Sequence, residues 1–108
     1  LVPGGTLLIA NLNPFNTAGL PDGWTHGADG ERFAIDHYLD DRAVWTEWRG
    51  IRVRNWHRPM RRYLQALLAA GLELRWFDEP EPHGGEPGKA SRYRRVPYFH
   101  IMEWRKPG

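Results

Sequence analysis

The stretch Pro3-Gly4-Gly5-Thr6-Leu7-Leu8-Ile9-Ala10 decides the fold that we predict for this chain. Proline and two glycines lead directly into an almost continuous apolar run. Apolar runs without alternation are typical of strands that are buried on both faces, as in a parallel sheet covered by helices. Because 108 residues cannot supply all the neighbours of such a strand, we expect the chain to be part of a larger α/β domain.

The composition limits the chain to one partial domain over residues 1–108 and excludes several kinds of site. It has no cysteine, which excludes disulfides, thiolate metal sites and a cysteine nucleophile within it. No apolar run approaches the ~18 residues of a membrane span, so we expect a cytoplasmic protein with no membrane partner. Six tryptophans indicate a thick aromatic core, a ligand pocket or a face that another element covers.

An antiparallel β-meander is predicted over residues 32–56, inserted between the first strand and the main helix. Its three strands are expected at residues 33–39, 43–48 and 51–56, with a tight turn at Arg49-Gly50. The third strand alternates regularly between its two faces, which is the pattern of a sheet with one wet face.

One main helix is predicted from Pro59 to Ala70, because apolar residues recur every three or four positions and Gly71 suits the carboxyl cap. A strand is expected at residues 72–77, followed by a loop over residues 80–94 that is rich in proline, glycine and charge. The final strand, at residues 96–104, carries bulky side chains on both faces and is therefore expected in a central position.

Five segments of the chain, taken in their order along the sequence, resemble those of a known protein family. They are Pro3-Gly4-Gly5-Thr6-Leu7-Leu8-Ile9, His57-Arg58-Pro59, Ala70-Gly71-Leu72, Glu79-Pro80-Glu81-Pro82, and Arg95-Val96-Pro97-Tyr98-Phe99 with Trp104-Arg105-Lys106-Pro107. Together they resemble the carboxyl-terminal half of class I, Rossmann-like S-adenosylmethionine-dependent methyltransferases. The resemblance implies part of a doubly wound sheet, in which the last strand is antiparallel and lies between the first strand here and the strand after the helix.

The same resemblance implies S-adenosylmethionine as the cofactor of the full-length protein, but the segments that bind it are missing. The family uses a glycine-rich loop after its first strand and an acidic residue at the end of its second. Neither is present, and Gly84-Gly85 are expected to lack the strand before and the helix after that such a loop needs. We therefore expect an inactive fragment whose partners are a missing amino-terminal half and a small-molecule methyl acceptor.

Two asparagines at the end of the first strand are candidate substrate-binding residues. In open α/β sheets the ligand crevice lies at the carboxyl ends of the strands, which is where Asn11 and Asn13 occur. Asparagine also caps and turns the backbone well, and the two interpretations have equal weight.

His57 is the candidate catalytic base, since methyl transfer to a protonated oxygen or nitrogen needs one and imidazole titrates near neutrality. The alternative, which the sequence favours, is a histidine that packs against Trp56 and fixes the start of the helix. His37, Tyr38 and Trp56 are further candidates for substrate binding. His100 alternates with apolar neighbours and is expected to be a hydrogen-bonded core histidine.

No metal site is expected, because no histidines or carboxylates have the spacing of metal ligands. A second function class is a small nucleic-acid-binding module, since arginines at positions 49, 52, 54, 58, 61 and 62 interleave with tryptophans at 45, 48 and 56. Asp40, Asp41 and Glu47 interrupt this positive region, so nucleic acid is not the expected partner. A third interpretation is an interaction module that forms a homodimer through exposed strands.

Overall fold

The computed structural model describes residues 2–108 and divides into two compact units. The first, called the sheet unit here, contains the residues up to Asn13 together with Met60–Gly108, and the second, the hairpin unit, is Pro14–Pro59. In chain order the elements are β1 (Thr6–Leu12), α1 (Pro14–Thr17), β2 (Trp24–Gly27), β3 (Gly30–Phe33), β4 (Arg42–Trp48), β5 (Ile51–His57), α2 (Met60–Ala69), β6 (Glu73–Asp78), α3 (Pro87–Arg95) and β7 (Phe99–Arg105).

The sheet unit contains a three-stranded sheet in the order β1-β7-β6. The central strand β7 pairs antiparallel with both neighbours, so that Leu7 and Leu74 both lie opposite Trp104. Since β1 and β6 each run against β7, they are parallel to each other. This arrangement confirms the implied order, in which an antiparallel last strand lies between the first strand and the strand after the helix.

Burial of β1 on both faces was expected within a larger domain, and the described residues alone do not provide it. Its exposed and half-buried side chains alternate, and Leu8 is 70% exposed. The physical reason is that β7 is the only described strand that pairs with β1. Full burial occurs instead on one face of β7, where Met102 and Trp104 form the apolar core.

The main helix is confirmed as α2, which begins and ends within one residue of the predicted limits. Gly71 adopts a φ of +83° directly after it, which glycine does without strain. The amide of Leu72 donates to the carbonyl of Leu67, and the amide of Gly71 to that of Leu68, which is the Schellman arrangement at a helix end. The chain then turns into β6.

The prediction of a loop over residues 80–94 is wrong in its second half, because Pro87–Arg95 form α3. This helix lacks an apolar stripe in the sequence, and periodicity therefore did not reveal it. A local signal was present: Pro87 occupies the first turn, where the missing N–H costs nothing. The amide of Val96 donates to the carbonyl of Arg92 where the helix ends.

The hairpin unit does not contain the predicted three-stranded meander. It contains two separate hairpins, β2-β3 and β4-β5. The predicted strand at residues 33–39 is wrong, because β3 ends at Phe33 and the residues after it are irregular, with a left-handed φ of +51° at His37. The turn at Arg49-Gly50 is confirmed, and both residues have positive φ as a tight two-residue hairpin turn requires.

Candidate functional site

The carboxyl ends of β1 and β6 and the start of β7 meet at one edge of the three-stranded sheet. Leu12 at the end of β1 lies opposite Phe99, the first residue of β7. Asp78 at the end of β6 lies opposite Ile101. Ligands of open α/β sheets bind beyond the carboxyl ends of the parallel strands, which makes this edge the first place to look for a site.

Asn13 and Glu79 form a hydrogen-bonded pair at this edge. The side-chain amide of Asn13 donates to Oε2 of Glu79 at 2.7 Å, and the backbone amide of Asn13 donates to the carbonyl of Tyr98 at 2.8 Å. Asn13 is fully buried, whereas Asn11 is half-buried and lies opposite His100 in the β1-β7 ladder. The pair therefore connects the ends of all three strands and places a carboxylate among them.

His100 is fully buried beside this pair, and neither of its ring nitrogens has a hydrogen-bond partner. The expectation of a hydrogen-bonded core histidine is therefore wrong. Its ring is stacked with Phe77 and tilted against Tyr63, with ring centroids 6.2 and 5.5 Å away. Burial lowers the pKa of His100, and the nearby negative charge of Glu79 opposes this shift in part. The side chain is thus a neutral imidazole that holds an unused donor and an unused acceptor.

A cavity of about 350 Å³ lies at the same edge, between the end of β6 and the start of β7. Its wall comes from one continuous segment, residues 80–99, and contains a cluster of three aromatic rings. The ring centroids of Tyr93 and Tyr98 are 4.8 Å apart, and those of Tyr98 and Phe99 are 4.6 Å apart. Glu81, Glu86 and Lys89 also line the cavity, and Glu81 is paired with Arg94 outside the lining. The wall offers ring faces to a planar molecule and little net charge.

A second cavity, of about 260 Å³, shares part of this wall and extends to Glu79. The ion pair between Arg94 and Glu81 borders it, with 3.6 Å between Nη1 and Oε2. Glu79, Tyr93 and Tyr98 were not among the residues predicted from the sequence. Glu79 is a polar residue that directly follows a strand. Asn11 was selected because it occurs where a strand ends, and the same criterion would have selected Glu79.

His57 is fully buried in the hairpin unit, and both of its ring nitrogens have partners. Nε2 lies 2.7 Å from the carbonyl oxygen of Tyr38, and Nδ1 lies 2.6 Å from Oγ1 of Thr17. A carbonyl only accepts, so Nε2 carries a proton and donates it. With Nδ1 unprotonated, Nδ1 accepts from the hydroxyl of Thr17, whose oxygen also lies 3.3 Å from the carbonyl oxygen of Pro14. This geometry leaves no ring nitrogen for a substrate, and the proposed role as a base stays a prediction.

The other predicted residues of the hairpin unit have different surroundings. The ring of Tyr38 lies against both Phe15 and His57, each with ring centroids 5.6 Å away. His37 is exposed, and its Nδ1 lies 3.1 Å from Oδ2 of Asp40. Trp56 lies under the guanidinium groups of Arg54 and Arg58 and does not stack on His57 in any contact that the structure describes. Roles of these residues in substrate binding stay predictions.

Within residues 2–108 the geometry does not fit the cofactor motif that the resemblance implies. Gly84 and Gly85 do lie between a strand and a helix, β6 and α3, which corrects the expectation that both elements are absent. However, α3 begins with Pro87, which has no N–H to offer a phosphate or carboxylate, and the spacing of the glycines differs from the dinucleotide-binding pattern. The described chain also contains no cluster of three metal-ligating side chains and no helix long and apolar enough to span a membrane.

Two solved structures have the same fold as this chain. One is a provisionally assigned S-adenosylmethionine-dependent methyltransferase from Listeria monocytogenes, with a TM-score of 0.84 and 24% identity over 100% of this chain and 50% of that protein. The other is an S-adenosylmethionine-dependent methyltransferase from Mesorhizobium loti, with a TM-score of 0.80 and 26% identity over 98% of this chain and 50% of that protein. This chain has the fold of half a methyltransferase. No protein-family model and no curated protein matches its sequence.

The comparison confirms the resemblance inferred from the sequence at the level of fold. The chain spans about half the length of the two structures that it matches. Both are described as S-adenosylmethionine-dependent methyltransferases, and each is matched across nearly the whole of this chain.

Proposed function

We propose that this chain is the acceptor-side, carboxyl-terminal half of an S-adenosylmethionine-dependent methyltransferase that acts on a small molecule. The observation that carries the proposal is the strand order β1-β7-β6 with an antiparallel central strand, together with the match to half of two such methyltransferases. The polar pair Asn13–Glu79 and the aromatic cavity at the carboxyl edge support a role in holding the acceptor.

The cavity favours a planar acceptor of low net charge. Its volume is within the range of small-molecule pockets, which runs from about 300 to 1,000 Å³. Tyr93, Tyr98 and Phe99 provide ring faces against which a flat molecule gains stacking and apolar contact. In this proposal the protein aligns the acceptor and excludes water from it, which are the main tasks in methyl transfer.

The cofactor is held, in this proposal, by an amino-terminal half that precedes the chain. The fragment alone is then inactive, and the complete enzyme acts in the cytoplasm. Association of two copies through exposed strand edges is compatible with the proposal. It is suggested by β1 and β6, each of which pairs with β7 alone among the described strands.

The test is transfer of a radiolabelled methyl group from S-adenosylmethionine to the small-molecule fraction of a cell extract. The chain is expressed together with its proposed amino-terminal half, and we expect label to appear in an extractable small molecule. Tyr98→Ala removes the central ring of the cavity wall and is expected to reduce transfer at least tenfold, the effect of losing roughly 1.4 kcal/mol of binding. Binding of S-adenosylmethionine is expected to stay unchanged.

Trp76→Ala is the matched control, because Trp76 is an exposed aromatic side chain of β6 that does not line either cavity. It should leave transfer intact. If the combined protein binds S-adenosylmethionine but labels no small molecule, or if Tyr98→Ala and Trp76→Ala behave alike, the acceptor-side proposal is wrong.

A further inference from the structure

One face of the β4-β5 hairpin is rich in arginine and tryptophan. In the register of this hairpin Trp45 lies opposite Arg54, and Trp56 lies opposite Ala43. Residues opposite each other in an antiparallel pair have side chains on the same face. With Arg58, which directly follows β5, this surface is called the Arg–Trp face, and its members are Ala43, Trp45, Glu47, Arg52, Arg54, Trp56 and Arg58.

Every arginine of the Arg–Trp face lies over an indole ring. The guanidinium carbon of Arg52 is 4.4 Å from the ring centroid of Trp45, and those of Arg54 and Arg58 are 4.6 and 5.3 Å from the ring centroid of Trp56. The indoles are nevertheless 50% and 46% exposed. A cation–π contact uses the charge of the guanidinium and leaves N–H donors for phosphate or carboxylate oxygens.

Two of the three acidic residues that the sequence suggested within this region lie outside the strands of the hairpin. Asp40 and Asp41 precede β4, and Oδ2 of Asp40 lies 3.1 Å from Nδ1 of His37. Glu47 is the only acidic member of the Arg–Trp face, against three arginines. Asp41 directly flanks β4 as Arg58 directly flanks β5, and with both counted the formal charge is +1, from three positive and two negative groups.

We propose that the Arg–Trp face binds single-stranded nucleic acid, with the arginines contacting phosphates and the two indoles stacking on bases. This combination of positive charge and exposed rings is what sequence-tolerant single-strand binders use. Seven-residue strands extend over about 23 Å, which is room for several nucleotides. The inference goes beyond methyl transfer and does not depend on it.

Two other occupants fit this surface less well. An acidic peptide would satisfy the guanidinium groups but would supply no planar rings to the exposed parts of the two indoles. A second copy of the same face would bring six arginines together, three from each copy, and this arrangement is electrostatically unfavourable. Nucleic acid is the partner that supplies both negative charge and planar rings.

The experiment measures binding of fluorescein-labelled dT12 to the purified protein by anisotropy between 50 and 200 mM salt. Three phosphate contacts predict a slope of about −2 for log K against log[salt], at about 0.7 per contact for single strands. Trp45→Leu and Trp56→Leu are each expected to weaken binding by about tenfold through lost stacking. Arg54→Gln should reduce the slope by about 0.7, whereas Arg54→Lys should keep it.

The sheet unit offers matched controls. Trp76, which is 53% exposed, lies in β6, and Arg105 is an exposed arginine in β7. Trp76→Leu and Arg105→Gln should change neither affinity nor slope, and circular dichroism checks that each variant is folded. The proposal is overturned if the wild type does not bind dT12 at 50 mM salt, if face and control variants weaken binding equally, or if poly-L-glutamate competes as well as unlabelled dT12.

Discussion

The sheet unit and the hairpin unit each bury one histidine completely, and they treat it in opposite ways. His57 of the hairpin unit has a partner at both ring nitrogens, Thr17 and the carbonyl of Tyr38. His100 of the sheet unit has a partner at neither and packs between aromatic rings. A polar group that is buried without a partner loses its hydrogen bonds to water and regains nothing.

By this difference His57 is a structural histidine with both ring nitrogens bonded, and His100 is an unusual buried histidine with neither nitrogen bonded. The network around His57 satisfies three polar groups at once, so it fixes the end of β5 against α1 within the hairpin unit. We expect the polar ring of His100 to weaken the fold of the sheet unit, and it lies opposite Asn11 at the carboxyl edge, within reach of the charge of Glu79. The candidate base His57 is thus bonded within the fold, whereas His100, which was expected to be a hydrogen-bonded core histidine, is buried without a described partner.

The largest effect is expected for His57→Ala. The substitution removes a buried ring and leaves Oγ1 of Thr17 and the carbonyl of Tyr38 without that partner, which should lower the free energy of unfolding by about 2 to 4 kcal/mol. Urea unfolding measures the change. His37→Ala is the control, since His37 is exposed, and it should cost less than about 0.5 kcal/mol. Equal effects of the two substitutions would contradict the account of His57.

The next effect is a loss of stability in acid that depends on His100. Because burial lowers its pKa, the folded chain stays neutral at this position while the unfolded chain binds a proton below its ordinary pKa of 6.5. The contribution is therefore complete above pH 6.5 and falls with decreasing pH, by at most about 1.4 kcal/mol per pH unit for one proton. Urea unfolding at several pH values, compared with His100→Phe, isolates the difference. A pH dependence that is identical in both proteins would show that His100 does not titrate as described.

At neutral pH the substitution His100→Phe is expected to raise the free energy of unfolding slightly, whereas the preceding changes lower it. The new ring can pack against Phe77 and Tyr63 without burying two unpartnered nitrogens, so stability should be unchanged or rise by up to about 1 kcal/mol. Thermal and urea unfolding measure it. A clear loss of stability would mean that a partner of His100 exists in solution, and that the contrast with His57 is not real.

The smallest effect is expected at the rim of the second cavity. The side chains of Arg94 and Glu81 are largely exposed, and such pairs contribute little because water and salt screen them. Arg94→Ala should change the free energy of unfolding by less than about 0.5 kcal/mol in low salt. A larger loss would show that this segment is more tightly coupled to the sheet unit than the ion pair suggests.

The sequence was sufficient for the parts of the fold that periodicity and caps encode. The helix α2, its glycine cap and the turn at Arg49-Gly50 were predicted from local chemistry, and the strand order followed from the resemblance. The short helix α3 was missed because Pro87–Arg95 carry no apolar stripe. The irregular segment after Phe33, with its left-handed His37, was missed because its apolar and aromatic residues resemble those of a strand.

The site was less predictable because hydrogen bonding is decided by partners that are distant in the sequence. The pair Asn13–Glu79 joins residues 66 positions apart, and the bond between Thr17 and His57 spans 40 positions. Residue type and position suggested a polar edge at Asn11 and Asn13, and the structure adds Glu79 and the aromatic cavity to it. Alternation along a strand predicts that a histidine is buried, but it does not predict whether its ring nitrogens have hydrogen-bond partners.

The central proposal is that this chain is the acceptor-side half of a methyltransferase whose other half holds the cofactor. Titration calorimetry with S-adenosylmethionine tests it most directly. One titration uses the isolated chain, and a second uses the chain expressed together with its proposed amino-terminal half. We predict no binding heat for the isolated chain and saturable binding at one site for the combined protein. Saturable binding to the isolated chain, or none to a folded combined protein, would contradict the claim.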